Sequence, residues 1–230
     1  MSTFFFSRVR LSDEATVKAL LPLLKSDSSS HSLIWSLFAK DKNQGRDFLY
    51  READDGWYYI LSSRKPENTN NLFHLDEPKE FSPALHEGER LRFSLRANPV
   101  IRRRIPGTRK SRKVDIVMDA LHKLPDKTDR KDKRHAFIWE KGKTWLTGQG
   151  EKHGFVLEPV HGEDQRNPKI TRYRQNKIYK KGEKNPLNFY SLDFDGVLSI
   201  TDASLFHAAL HNGLGSAKGY GCGLMMIRRI

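Results

Sequence analysis

His31 follows three serines, Ser28 to Ser30, and opens the run His31-Ser-Leu-Ile-Trp-Ser-Leu-Phe38, whose apolar residues Leu33, Ile34, Leu37 and Phe38 recur at helical spacing. A neutral imidazole takes a proton and a charged one gives it back near neutral pH, so one such ring can serve both halves of a proton-transfer reaction. Taken alone, His31 is one of nine histidines, and its plainest reading is a surface residue beside a helix cap. Two other groupings invite chemistry. His207 and His211 stand i, i+4 on one helix and could bind zinc, but Ala208 occupies the place a zinc protease gives to glutamate. They share a face with Ser204, away from Leu205, Phe206, Ala209 and Leu210, which favours a solvated helix face. Asp193 and Asp195 share one side of a strand and could hold Mg²⁺, although alternation on a half-exposed strand explains them equally well.

The run Gly213-Leu-Gly-Ser-Ala-Lys-Gly-Tyr-Gly-Cys-Gly223 carries five glycines and one lysine between a short amphipathic helix and a final apolar strand. Glycine admits φ > 0 and close backbone approach, so such a run can wrap a phosphate backbone or support a tight helix-to-strand crossing. It is not a nucleotide fingerprint: Lys218 is followed by Gly219 rather than Ser or Thr, and the run closes a helix instead of opening one. Lys218 could meet a phosphate here, or it could be a solvated lysine beside a structural crossing. Cys222, the single cysteine, lies between two glycines and reads as a buried small hydrophobe; no internal disulfide or thiolate zinc cluster is possible.

Forty-one Lys and Arg against 28 Asp and Glu give a net charge of +13 over 230 residues. That balance favours a polyanionic partner, because neutralising phosphates releases condensed counterions. Two stretches concentrate the charge without an acid. The first holds Arg102, Arg103, Arg104, Arg109, Lys110, Arg112 and Lys113, with Pro106-Gly107 inside it, and reads as a loop entering a helix. The second holds Arg166, Lys169, Arg172, Arg174, Lys177, Lys180 and Lys181, with Tyr173 and Tyr179 interleaved as stacking surfaces. A solvated loop and a charge-defended edge strand are the bland alternatives; both stretches together favour phosphate contact. No apolar run reaches the roughly 18 residues needed to span a bilayer, and the apolar stretch at the amino end, Phe4 to Phe6, is too short for a signal peptide, so the expectation is a cytoplasmic protein that binds no membrane.

The elements that must position these groups follow from periodicity. Phe4 to Leu11 reads as a strand, and Ser12 caps a helix carrying Val17, Leu20, Leu21 and Leu24. A second helical piece begins near His31. Phe48 to Glu52 and Trp57 to Ser63 form a hairpin across Asp55-Gly56, and Leu91 to Ala97 is a strand with Leu91, Phe93, Leu95 and Ala97 on one face. Between them, Leu72 to Leu85 leaves room for a helix or an irregular crossover. Beyond, Val114 to Leu124 and Lys133 to Leu146 read as helices, and Phe155 to Pro159, Ile170 to Tyr179 and Tyr190 to Ile200 as strands. Asp202 caps the last helix, Gly213 closes it, and Leu224 to Arg228 is the final strand. The order fits an α+β fold of two tandem ferredoxin-like halves, residues 1–98 and 99–230.

Several segments resemble, in order, the CasE family of CRISPR repeat endoribonucleases from the type I-E Cascade system. Val197-Leu-Ser-Ile-Thr-Asp-Ala203, Gly213 to Lys218 and Gly221-Cys-Gly-Leu-Met225 are similar to its carboxyl end. Ser82 to Pro99, with Leu95-Arg-Ala-Asn-Pro99 as its core, is similar to its central strand; Trp145-Leu-Thr147 and Gly154-Phe155 to its mid-chain helix and exit; His31 to Phe38 to the helix bearing its catalytic histidine. The resemblance implies the tandem fold and a repeat hairpin of CRISPR precursor RNA as ligand. It also implies cofactor-free, metal-independent cleavage at the 3' side of the stem, with His31 as catalytic acid or base. The RNA's own 2'-hydroxyl would attack, leaving a 2',3'-cyclic phosphate, while a cation stabilises the crowded phosphorus. Arg102, Arg103, Arg104, Arg109, Lys110, Arg112, Lys113, Lys169, Arg172, Tyr173, Arg174, Lys177 and Lys218 are the expected RNA contacts. Partnership with Cascade effector subunits, and a monomer when free, complete the expectation. Relatives often carry a tyrosine where this chain has Ser28, and that role is not carried over. A non-catalytic hairpin-binding subunit of the same fold and a basic DNA-binding protein are the competing readings.

Overall fold

The computed structural model describes residues 3–15, 29–38, 45–126, 129–159, 166–179 and 184–230. The first part of the chain runs β1 (Phe5–Leu11), α1 (Ser29–Trp35), β2 (Phe48–Glu52), β3 (Tyr58–Ser62), β4 (Phe73–Leu75) and β5 (Lys79–Glu80). The remainder runs β6 (Arg90–Ala97), β7 (Val100–Arg104), β8 (Ser111–Asp115), α2 (Ile116–His122), α3 (Asp129–His153), β9 (Phe155–Leu157), β10 (Lys169–Ile178), β11 (Leu187–Ile200), α4 (Ala203–Asn212) and β12 (Met225–Arg229).

All strands but β7 and β8, which pair only with each other, form two antiparallel sheets of the same plan. The first is ordered β2-β3-β1-β4, with β5 sharing β1's edge; the second is β10-β11-β6-β12, with β9 sharing β11's edge. In each, the second, third, first and fourth strands of a ferredoxin-like unit stand in that order, and a helix follows the first strand. The first half carries no helix between β3 and β4, residues that are all described; the stretch 72–85 is the irregular crossover, with β4 and β5 inside it. The expected helix of Val17, Leu20, Leu21 and Leu24 lies outside the described residues, as do Ser28, Lys180 and Lys181.

Two expectations need correction. The boundary at 98 would leave β6 in the first half, yet β6 pairs with β11 and β12 at the centre of the second sheet, so the change of sheet falls between Glu80 and Arg90. Residues 102–113 are not a loop entering a helix. They are mostly the hairpin β7-β8, with Arg102 opposite Lys113 and Arg103 opposite Arg112, turning at Pro106-Gly107. Gly107 takes φ 73° there, and the helix begins only at Ile116, where the Asp115 carboxylate accepts from the amides of Val117 and Met118.

Alternation on β6 and β11 buries Leu91, Phe93, Leu95 and Ala97 with Leu192, Phe194, Leu198 and Ile200 beneath the helices. Gly142 lets α3 lie close on this layer, since a Cβ there would come within 2.5 Å of the Ile170 side chain. The first sheet has its own core, Val9, Phe48, Tyr50 and Ile60 against Leu33, Ile34, Leu37 and Phe38 of α1 and its exit. A third cluster, Leu49, Leu61 and Leu224 with Phe4, Phe6 and Phe81, joins the first sheet to the residues around β12. Through it the glycine run meets the first half.

Candidate active site and basic surfaces

The seven-residue α1 is too short to be stable by itself, so its place is set by burying Leu33 and Ile34 into the first core. That leaves the half-buried His31 ring packed among aromatics. Its centroid is 5.6 Å from Trp35, 6.0 Å from Phe48 and 6.4 Å from Tyr220. Opposite it comes the tip of the glycine run, where a Cβ placed on Gly219 would stand 3.8 Å from the His31 Cε1.

That run is held by bonds from the first half. The Tyr50 hydroxyl donates to the Gly219 carbonyl at 3.2 Å. The Arg46 guanidinium donates to the Lys218 carbonyl at 3.3 Å and also to the Phe48 carbonyl. Burial pushes the pKa of Tyr50 well up and that of Arg46 down, and Tyr50 stays a neutral donor. Gly213 ends α4 at φ 72° with its α-carbon against Leu49, whose side chain a Cβ would meet at 2.8 Å; a larger residue would push the run off the first sheet.

A pocket of about 120 Å³ adjoins His31 through its neighbour Ser30 and its ring partner Tyr220, which line it together with Arg96, Arg174 and Phe189, among others. Tyr220 packs on Phe189 at 5.8 Å. Arg174 is exposed on β10 and makes no ion pair with any described acid. Cations therefore stand on two sides of Tyr220 and the loop tip: Arg174 in the pocket that Tyr220 lines, and Arg46 and Lys218 on the other side of the run.

Lys218 is part of the crossing. Its ammonium donates to the Asn212 carbonyl at 2.7 Å, closing α4, and its pKa is lowered by burial and by the neighbouring charges of Arg46 and Lys113. Lys113 in turn donates to the Ser216 hydroxyl at 2.9 Å, and Asn98 pairs with Ser216, so the base of the β7-β8 hairpin rests on the glycine run. Arg102, Arg104, Arg109, Lys110 and Arg112 stand exposed on that hairpin. Arg103 grips Asp119 through two bonds of 2.7 and 2.6 Å, and its guanidinium, with help from Lys123, holds the Asp119 carboxyl at about 2.

Strand period divides the second basic window between two faces. Arg172 and Arg174 point toward the cleft that leads to His31, and Arg172 pairs with Asp54 of the first half at 2.9 Å. Tyr173 points the other way. Its ring stacks on Tyr190 at 5.0 Å, Arg134 lies over it at 5.3 Å and its hydroxyl donates to Asp115 at 2.7 Å, so it braces β10 against α2 and α3. Lys169 and Lys177 are exposed. The acids that meet Arg103 and Arg172 come from other elements, which a window scan cannot see.

The rival sites resolve differently from their sequence readings. Asp193 is held by Arg96 through two bonds of 2.7 and 2.9 Å. His211 is half-buried: it stacks on Phe4 at 3.8 Å and lies 4.4 Å from His207, and burial with the neighbouring imidazole lowers its pKa to about 4. Leu205, read as part of the apolar face, is instead exposed, while Phe4 and Phe81 pack against His211. Among the described residues no group of three or more His, Cys, Asp or Glu gathers as a metal site. Cys222 is buried, and desolvation pushes its thiol up to about 12, as expected of a core residue. No described helix is long and apolar enough to cross a membrane.

Arg46, Tyr50 and Tyr220 were not singled out from sequence. Tyr220 stands within the glycine run and could have been marked as the one aromatic there; Arg46 and Tyr50 gave no local signal.

Comparison with known proteins fits this arrangement. A family described as CRISPR associated protein matches residues 4–229. The CRISPR system Cascade subunit CasE of Escherichia coli K12 is 27% identical over 86% of this chain and 89% of its own. The CRISPR-associated endoribonuclease Cse3 of Thermus thermophilus is 30% identical over 65% of this chain and 61% of its own. Among solved structures, Cse3 bound to a 19 nt RNA superposes with a TM-score of 0.70 at 23% identity, covering 98% of this chain and 99% of that one. Cas6e from Escherichia coli K-12 gives 0.59 at 22%, covering 98% and 100%. At these identities the structural matches carry the fold.

Proposed function

Since this chain belongs to the CRISPR-associated protein family, we propose that it is a metal-independent endoribonuclease that binds the repeat hairpin of CRISPR precursor RNA and cuts it at the 3' side of the stem. His31 moves the protons. A neutral ring accepts the proton of the 2'-hydroxyl as its oxygen attacks the adjacent phosphorus, and the imidazolium returns a proton to the departing 5'-oxygen. One P–O bond forms and one breaks, leaving a 2',3'-cyclic phosphate and a 5'-hydroxyl. The nucleophile belongs to the substrate, so this route does not call on a metal-activated water. Arg174 is the cation positioned to meet the non-bridging oxygens from across the pocket.

The observation that carries the reading is the closeness of the His31 ring to the tip of the glycine run, with Arg174 lining the adjoining pocket. The exposed arginines of β7-β8, which rests on the same run, supply a basic surface for a stem. The relatives' names point the same way: one is a Cascade subunit, the other an endoribonuclease. Product retention and a place in a Cascade effector follow as part of the proposal, as does a monomeric state before assembly.

Cleavage of a repeat hairpin in excess chelator tests it. The wild-type protein cuts; a 2'-deoxy substitution at the scissile nucleotide and His31→Ala each abolish cutting and leave binding largely intact. Unchanged cleavage by His31→Ala removes His31 from the mechanism.

A further inference from the structure

The alternation that buries Leu91, Phe93 and Leu95 under the helices turns Arg90, Arg92 and Ser94 to the opposite face of the second sheet. There a groove of about 1000 Å³ runs over β6, β11 and β12, with a floor that includes half-buried Val197 and Met226. Five cations line it, Arg90, Arg92, Arg166, Lys169 and Arg228, against two carboxylates, Glu158 and Asp195. Glu158 lies 3.6 Å from Arg90. Arg92 and Arg228 sit directly opposite each other in register, and neither has an ion-pair partner among the described residues. Like charges so placed are destabilising on a sheet, and an anion between them relieves the cost. The family resemblance and the two basic windows leave Arg90, Arg92 and Arg228 without a role.

The groove connects with the histidine pocket. It shares Asp195 and Met226 with the cleft at Arg51 and Arg172, and that cleft shares Glu52 and Arg96 with the pocket beside His31. Along β11 the path from Phe189 to Val197 is on the order of 25 Å at about 3.3 Å per residue. Cationic walls on an apolar floor suit a single strand, whose phosphates take the arginines while its bases lie on the aliphatic surface.

We propose that this groove is a second RNA site, which binds the single-stranded transcript continuing 3' of the scissile phosphate. The proposal rests on the RNA-processing reading above. It gives Arg92 and Arg228 a shared phosphate and sets the direction in which the strand leaves His31.

The test compares the affinity of a repeat hairpin, made uncleavable by a 2'-deoxy scissile nucleotide, with and without a 3' single-stranded extension of about ten nucleotides. Wild-type protein binds the extended RNA about tenfold more tightly at low salt, and the gain shrinks as salt rises. Arg92→Gln with Arg228→Gln removes that gain while leaving affinity for the bare hairpin, and the cleavage of its all-ribose counterpart, unchanged. The corresponding double lysine variant, which keeps the charge, retains most of the gain and controls for folding. A bare hairpin that binds with no gain from the extension overturns this proposal alone. So does an equal loss of bare-hairpin affinity in the glutamine variant. Failure to bind the bare hairpin at all sinks the parent reading, and this one with it.

Discussion

The Tyr50 hydroxyl donates to the Gly219 carbonyl at 3.2 Å, and this bond ties the edge strand β2 of the first sheet to the residue that stands against His31. Tyr50 is otherwise an apolar core residue, 2% exposed. Tyr50→Phe keeps the ring and removes the donor. It should cost about 1 kcal/mol in urea unfolding. In the proposed reaction it should lower the cleavage rate several-fold while hairpin affinity holds, because the loop tip loses its anchor and the pocket its shape.

Arg103 and Arg104 are neighbours on one strand with opposite fates. Arg103 is committed to Asp119, whereas Arg104 is exposed and without an ion pair among the described residues. Arg104→Ala together with Arg109→Ala should weaken RNA binding and flatten its salt dependence, by about 1.5 units of log–log slope for two lost phosphate contacts. Arg103→Ala should instead act on stability, lowering the melting temperature with a smaller change in slope. Equal salt slopes in the two variants would mean that the Asp119 pair opens when RNA binds.

Arg96 and Asp193 form the best-shielded ion pair between described residues, with side chains 15% and 9% exposed. Arg96 also donates to the Glu52 carbonyl of the first half at 3.0 Å. Removing the carboxylate alone leaves a guanidinium stranded in the cleft, so Asp193→Ala should destabilise by about 3 kcal/mol. A double-mutant cycle with Arg96→Ala checks this: the second change should recover part of the loss.

His211 carries a pH signature. Its folded pKa, about 4, lies below the ordinary value, because burial and the nearby His207 disfavour the charged ring. A histidine held neutral contributes stability above its unfolded pKa, near 6.5, and that contribution is lost as pH falls toward 4. Discounted for solvent screening at a part-exposed ring, the loss is about 1 kcal/mol. Melting curves between pH 7 and 4.5, read against the generic range for histidine titration, should show a steeper decline for wild type than for His211→Phe.

Most strands were legible because each carries its own period. The alternation of Leu91 to Ala97 appears in the fold as read, as do the Asp202 cap and the Gly213 stop of α4; on β11 the polar face is buried as well, with Ser191 against Asn176 and Asp193 against Arg96. What escaped detection depends on partners distant in sequence. Nothing local says that β6 belongs with β11 and β12, since a strand's pattern records that it has a buried face and not which sheet supplies the cover. The β7-β8 hairpin was misread because its charge masked a pattern whose only buried contacts lie at its base. The face carrying His207 and His211 looked solvated for a related reason: imidazoles score as polar, yet Phe4 and Phe81 from the other half lie against His211.

His31 and Gly219 lie nearly the whole chain apart, and their meeting depends on both sheets and on the contacts of Arg46, Tyr50 and Leu49 with the glycine run. A junction of that span carries loop-closure entropy that local hairpins do not. The proposed catalytic pocket is thus a late arrival in folding and an early casualty of partial opening. Mild denaturant should silence the protein before its helical signal fades, and loss of activity becomes a sensitive gauge of how well its two halves hold together.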